Sequence, residues 1–95
     1  MHEIAISEIQ VIPVKPKEGL VAFASCVINN QFYLGNIAIY TSPSSDSGFR
    51  LVYPAKMLPT GKQIYCAHPI SKEVGKIIHN AIISKYEELL NKFNP

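Results

Sequence analysis

Cys66 and His68 are the pair whose types and spacing suit nucleophilic chemistry. Two residues apart on a strand, a thiol and an imidazole point to the same side. A working pair also needs a third group to orient the base and donors for an oxyanion, and the stretch from Tyr65 to Ser71 supplies neither. No catalytic residue is assigned. Adding Cys26, His2 or His79 gives no recognised zinc spacing, so no metal ligand is assigned and no cofactor is implied. His68 is read instead as part of a structural corner with Pro69 and Ser71, its ring tying strand to helix by hydrogen bonds.

Phosphate binding is the second chemistry within reach. Lys56, Lys62, Lys72 and Lys76, with Arg50, are placed to converge where a loop meets the start of a helix. Each phosphate that such a cluster neutralises releases counterions and adds salt-dependent affinity. A helix N-terminus contributes partial positive charge and free N–H groups. The plain alternative is that these lysines are scattered solvation. A net charge of +2 over 95 residues, with pI near 8.6, permits a nucleic-acid partner without requiring one. The sequence contains neither a helix-turn-helix pattern nor a recognisable RNA-binding motif.

The elements that must position these residues emerge from hydrophobic period. Ile4 and Ile6 alternate on one parity, Ile9 and Val11 on the other, which implies either a bulge around Ser7-Glu8 or two short strand pieces before Pro13 ends the run. Lys15 to Gly19 reads as a turn. Leu20 to Ile28 is a strand with a row of small side chains (Ala22, Ala24, Cys26) over which a helix can lie closely. Asn29-Asn30 tolerates left-handed geometry and makes a hairpin turn. Gln31 to Tyr40 is the next strand, with a bulge at Gly35-Asn36. Thr41 to Gly48 is a polar, mobile loop; Phe49 to Tyr53 is a short strand; Pro54 to Gly61 is a second loop; Lys62 to Cys66 is a last strand.

Pro69 ends the strand signal and Ser71 can cap a helix running from Lys72 to about Lys92. Its apolar residues form two stripes. Val74, Ile77, Ile78, Ala81 and Ile82 make the first; Ile82, Tyr86, Leu89 and Phe93 make the second, turned around the axis. The helix is therefore expected to face its own sheet first and something else later. One helix covers one face of a sheet, which leaves Phe23 and Val27 bare. Exposed apolar area of that kind marks an interface. The reading is an α+β fold in a single domain, residues 1–95: a small, mostly antiparallel sheet of about five strands with one long C-terminal helix. It is expected to be a homodimer through Phe23, Val27, Tyr86, Leu89 and Phe93.

The hydrophobic fraction, 47%, excludes disorder, and no apolar segment approaches membrane-spanning length. Met1-His2-Glu3-Ile4 lacks the pattern of a secretory signal, so a reducing cytoplasm is expected, with no membrane partner and no small-molecule substrate. Both Cys26 and Cys66 fall in apolar runs where a buried thiol is the usual occupant.

Taken in order, certain landmarks resemble the stage V sporulation protein G (SpoVG) family of bacterial septation regulators. They are Asn29-Asn30 into Gln31-Phe32-Tyr33-Leu34, Ile37-Ala38-Ile39, Gly48-Phe49, Pro54-Ala55-Lys56, Gly61, Ala67-His68-Pro69-Ile70 and Tyr86. The similarity spans nearly the whole chain, and the Ala-His-Pro-Ile quartet with a single helix after it is its most specific part. The resemblance implies a sheet-plus-helix dimer that binds DNA and RNA site-selectively and tunes transcripts for septation, sporulation or surface components. It further implies contact through the loop after the fourth strand and the start of the helix. This chain departs from the pattern there. The family's loop of several basic residues is Pro54-Ala55-Lys56-Met57-Leu58-Pro59 here, keeping only Lys56, and Val74-Gly75 stands where an early helical Arg is frequent. Those departures favour a second reading, a protein–protein adaptor on the same fold without nucleic-acid affinity.

Overall fold

The computed structural model describes residues 3–93, with the backbone alone at Phe93. Six strands precede one helix: β1 Ile6–Lys17, β2 Leu20–Ile28, β3 Phe32–Thr41, β4 Phe49–Val52, β5 Ala55–Met57, β6 Gln63–Tyr65 and α1 Lys72–Phe93. The α+β arrangement matches the sequence reading, but the strands divide differently. β1 to β4 form one sheet in chain order, and β5 pairs only with β6 as a separate two-stranded ribbon. Every pairing is antiparallel. The segment read as a loop from Pro54 to Gly61 thus contains a strand.

Both expected bulges are present. Between Ser7↔Val27 and Gln10↔Ser25 one extra residue enters β1, and Glu8 takes a left-handed φ of 47° to admit it. Between Ala24↔Ile37 and Cys26↔Leu34 the extra residue is in β3, with Asn36 at φ 57°. Pro13 does not end β1, contrary to expectation: it pairs with Ala22, and the strand runs on through Pro16 to Lys17. This is possible because β1 is an edge strand, where a proline nitrogen can face solvent rather than a neighbour. The turn shrinks accordingly to Glu18-Gly19, both left-handed. At the opposite edge β4 pairs only with Ala38 to Thr41, which leaves residues 32–37 of β3 unpaired on that side.

The core lies between the sheet and α1. Ala22, Ala24 and Cys26 from β2 and Leu34, Ile37 and Ile39 from β3 meet Ile78, Ile82, Ile83 and Tyr86 from the helix. Ala22, Cys26, Ile37, Ile39 and Ile82 are fully buried. At about 25 cal/mol per Å² of apolar area, each such isoleucine contributes on the order of 2 kcal/mol. The small residues of β2 do what their size predicts and let the helix come down on the sheet. The two-stripe reading of the helix is corrected here. Tyr86 is 6% exposed and its ring meets Phe49 edge-on at 5.3 Å, so the helix keeps facing its own sheet past Ile82. Burial pushes the Cys26 thiol and the Tyr86 hydroxyl above their usual pKa. Burial first, and then the charge of Cys26, push Tyr53 up to about 12.

The serine-rich segment before β4 is not a loose loop. Ser42 N–H donates to the Gly48 carbonyl at 2.8 Å and Gly48 N–H to the Ser45 carbonyl at 3.1 Å. Ser47 Oγ lies 2.9 Å from His79 Nε2 on the helix. That contact fastens the loop to α1 and gives His79 a structural partner.

Candidate nucleic-acid interface

The helix start is built as the sequence implies. Ser71 Oγ accepts a hydrogen bond from Val74 N–H at 3.1 Å, and the Ser71 carbonyl receives the first helical bond, from Gly75 N–H, also at 3.1 Å. The cap satisfies one of the four otherwise orphaned N–H groups of a helix N-terminus. Pro69 packs against the same turn: a Cβ on Gly75 would sit 3.6 Å from Pro69 Cγ. His68 contributes less than expected. Its Nδ1 lies 2.9 Å from the carbonyl of the very next residue, Pro69, and its exposed ring leans on Tyr65 at 4.8 Å. The corner is held by Ser71 and Pro69, not by histidine bonds reaching across it.

Lys72 and Lys76 are exposed on the first turns of α1, four residues apart and therefore on one face. Glu73 stands beside them in the first turn. Just before this corner the β5–β6 ribbon forms an arm. Ala55↔Tyr65, Lys56↔Ile64 and Met57↔Gln63 are its rungs. Leu58 N–H donates to the Lys62 carbonyl at 2.8 Å, and Cys66 N–H closes the base on the Pro54 carbonyl at 2.8 Å. Gly61 turns the tip at φ 89°, a conformation that favours glycine. Lys56 and Lys62 are exposed on this arm. Cys66–Ser71 joins the arm directly to the capped helix start, so all four lysines belong to consecutive segments at one end of the chain's path. Among the described residues the ion pair formed is Lys85–Glu88, at 3.9 Å, and none of these four lysines takes part in it.

Arg50 is elsewhere. Register pairs it with Tyr40, and its guanidinium lies 4.8 Å from the centre of that ring. The next residue, Leu51, pairs with buried Ile39, so Arg50 points to the sheet face away from the helix. The sheet therefore separates Arg50 from Lys72 and Lys76 on the helix.

The apolar residues assigned to an interface are also dispersed. Phe23 and Val27 are half-buried on the open sheet face, Leu89 is half-buried on the helix, and Tyr86 belongs to the chain's own core. The side chain of Phe93 lies outside the described residues, as does His2. Sequence reasoning missed two sets of bare apolar side chains: Met57, Ile64, Tyr65 and Ile70 on the arm and corner, the last 96% exposed, and Ile12, Phe32 and Tyr33 on β1 and β3. Cys66 is exposed as well, and Cys26 alone is the buried thiol expected of both. Among the described residues no three His, Cys, Asp or Glu side chains are grouped to hold a metal ion. No described helix is long and apolar enough to cross a membrane.

Comparison with known proteins places this geometry in context. The family model described as SpoVG matches residues 4–88. Relatives carrying the name "Putative septation protein SpoVG" include one from Aster yellows witches'-broom phytoplasma (strain AYWB), 28% identical over 90% of this chain and 84% of the relative. One from Onion yellows phytoplasma (strain OY-M) is 26% identical with the same coverage. One from Treponema denticola is 28% identical over 87% of this chain and 86% of its own length.

Proposed function

This chain belongs to the SpoVG family, and on that premise we propose that it is a septation-related regulator acting by stoichiometric binding of DNA or RNA, without catalysis. The observation that supports this is the succession of arm, capped corner and helix start, with Lys56, Lys62, Lys72 and Lys76 all exposed along it. Lys72, Lys76 and the helix terminus grip phosphate, and the arm extends the patch. The family name on the relatives supports the septation role.

The test is the salt dependence of binding. Replacing Lys72 and Lys76 together by Ala weakens duplex and single-strand binding alike and lowers the slope of log K against log salt by about two units, roughly one per lost phosphate contact. A slope equal to that of the parent protein removes those two lysines from the interface.

The protein works as a homodimer in this reading, with the arm in the contact. A two-stranded ribbon is marginal by itself in water, and this one leaves Met57, Ile64 and Tyr65 bare. The same bare side chains favour the adaptor as second reading, in which the arm grips another protein. A gel-shift series at low salt on unrelated duplexes separates the two, because even a non-specific nucleic-acid binder shifts them and an adaptor does not.

A further inference from the structure

The sheet face opposite the helix is not a plain apolar surface. It contains a cleft of about 140 Å³ lined by Gln10, Ile12, Phe23, Ser25, Tyr33 and Asn36. We propose that this cleft receives one unpaired nucleobase of a single-stranded nucleic acid, stacked on Tyr33, with a phosphodiester farther along the strand held toward Arg50. The proposal rests on the nucleic-acid reading above but concerns a different surface and a different chemical feature of the ligand, the base and not the phosphate.

Size comes first. Pockets for drug-sized molecules run to roughly 300–1,000 Å³, so this open cleft suits one ring lodged from the solvent side better than a whole drug-sized molecule. Its lining combines two aromatic rings with two carboxamides and a hydroxyl. Aromatic rings stack on any base, and amide and hydroxyl groups can donate to or accept from its edge. No carboxylate lines it.

Tyr33 is held as a platform. A Cβ on Gly35 would stand 2.7 Å from Cε2 and Oη of the Tyr33 ring. The ring therefore lies down over a backbone that only glycine leaves open, while the residue remains 67% exposed. One side is supported by the protein and the other is free to stack.

Register supplies the charge. Phe23 pairs with Ala38 and Ala38 with Val52, while Tyr40 pairs with Arg50. Tyr40 and Arg50 are one same-face step, about 7 Å, along their strands from Ala38 and Val52. A guanidinium thus lies one step beyond the row that contains Phe23, while Tyr33, paired with Val27, lies about 13 Å to the other side of that row. A polyanion crossing the cleft from Tyr33 meets Arg50 with a later phosphate. Stacking on exposed sheet aromatics beside a cation is how many single-strand binders hold bases without a sequence code.

The experiment measures fluorescence anisotropy of labelled oligo(dT), and of an equally long dT·dA duplex, with the full chain at low salt. Tyr33→Ala is expected to weaken oligo(dT) binding roughly 5- to 150-fold, the range that loss of one stacked base implies, and to leave duplex binding unchanged. Tyr33→Phe keeps the affinity, since the ring is retained. Gly35→Ala, which displaces the ring without removing it, gives a smaller loss on oligo(dT) alone. Arg50→Ala weakens oligo(dT) and supplies a second variant should either substitution at β3 unfold the chain.

Equal oligo(dT) affinity for parent and Tyr33→Ala overturns the proposal, as does an equal loss on both ligands. A change in sedimentation with Tyr33→Ala, at unchanged oligo(dT) binding, also overturns it by showing that a second copy covers the face. Failure of the parent protein to bind either ligand sinks the nucleic-acid reading itself.

Discussion

The helix-covered body and the β5–β6 arm are built from the same kinds of residue and use them in opposite ways. In the body, Ile37, Ile39, Ile78 and Ile82 are sealed between sheet and helix. On the arm, Ile64, Met57 and Tyr65 face outward, and the ribbon packs closely only on itself. The radius of gyration, 14.0 Å, exceeds the roughly 12 Å expected of a compact chain of this length. Apolar content alone therefore does not say which residues stabilise the monomer. What decides is whether a second layer lies over them, and α1 provides that layer for one sheet face only.

The sharpest way to break this comparison is to cut equally into both regions. Ile82→Ala should cost about 2–5 kcal/mol, because the site is fully buried and surrounded by residues that cannot all collapse inward. Urea denaturation reads it as a lower midpoint at unchanged slope. A loss below about 1 kcal/mol, well under the usual cost of such a cavity, would show that the helix is only loosely seated.

The corner between the two regions should respond to a lesser degree. Ser71→Ala removes the oxygen that Val74 N–H reaches and should destabilise by about 1 kcal/mol, the usual worth of a cap. Asp or Asn at the same position should restore most of it. An unaffected midpoint would mean that Pro69 alone sets the start of α1.

Tyr65→Ala on the arm should have the smallest effect on unfolding, within about 0.5 kcal/mol for a surface position measured as monomer. Its effect should appear in sedimentation equilibrium, as dimers giving way to monomers. If stability falls as far as with Ile82→Ala and association is unchanged, arm and body form one core and the distinction fails.

Local rules carried much of the fold. The switch of parity at Ser7-Glu8 and the pair Gly35-Asn36 announced two bulges. Ser71 announced a cap, and Ala22, Ala24 and Cys26 announced the helix-bearing face. Each of these signals resides in adjacent residues. The errors share another origin. Pro13 looks like a stop until one knows that β1 is an edge, and Lys56 looks like a loop residue until Ile64 is found opposite it. Tyr86 falls on a second helical stripe by angle alone, but Phe49, far away in sequence, draws its ring into the core. Of the candidate site, the exposure of the four lysines could be read from the chain, whereas the position of Arg50 and the platform under Tyr33 depend on strand register, which local composition does not encode. The exposure of Cys66 was missed for the same reason: its run looks apolar, but the ribbon it closes has no layer above it.

The two flanks of the sheet have unequal capacity for lateral annealing. Along the outside of β1, Pro13 and Pro16 withhold amide protons and the Glu8 kink spoils alignment. Along β3, residues 32–37 still offer an unspent ladder. An extended segment of another chain therefore finds a backbone to anneal to beside β3 and little to anneal to beside β1.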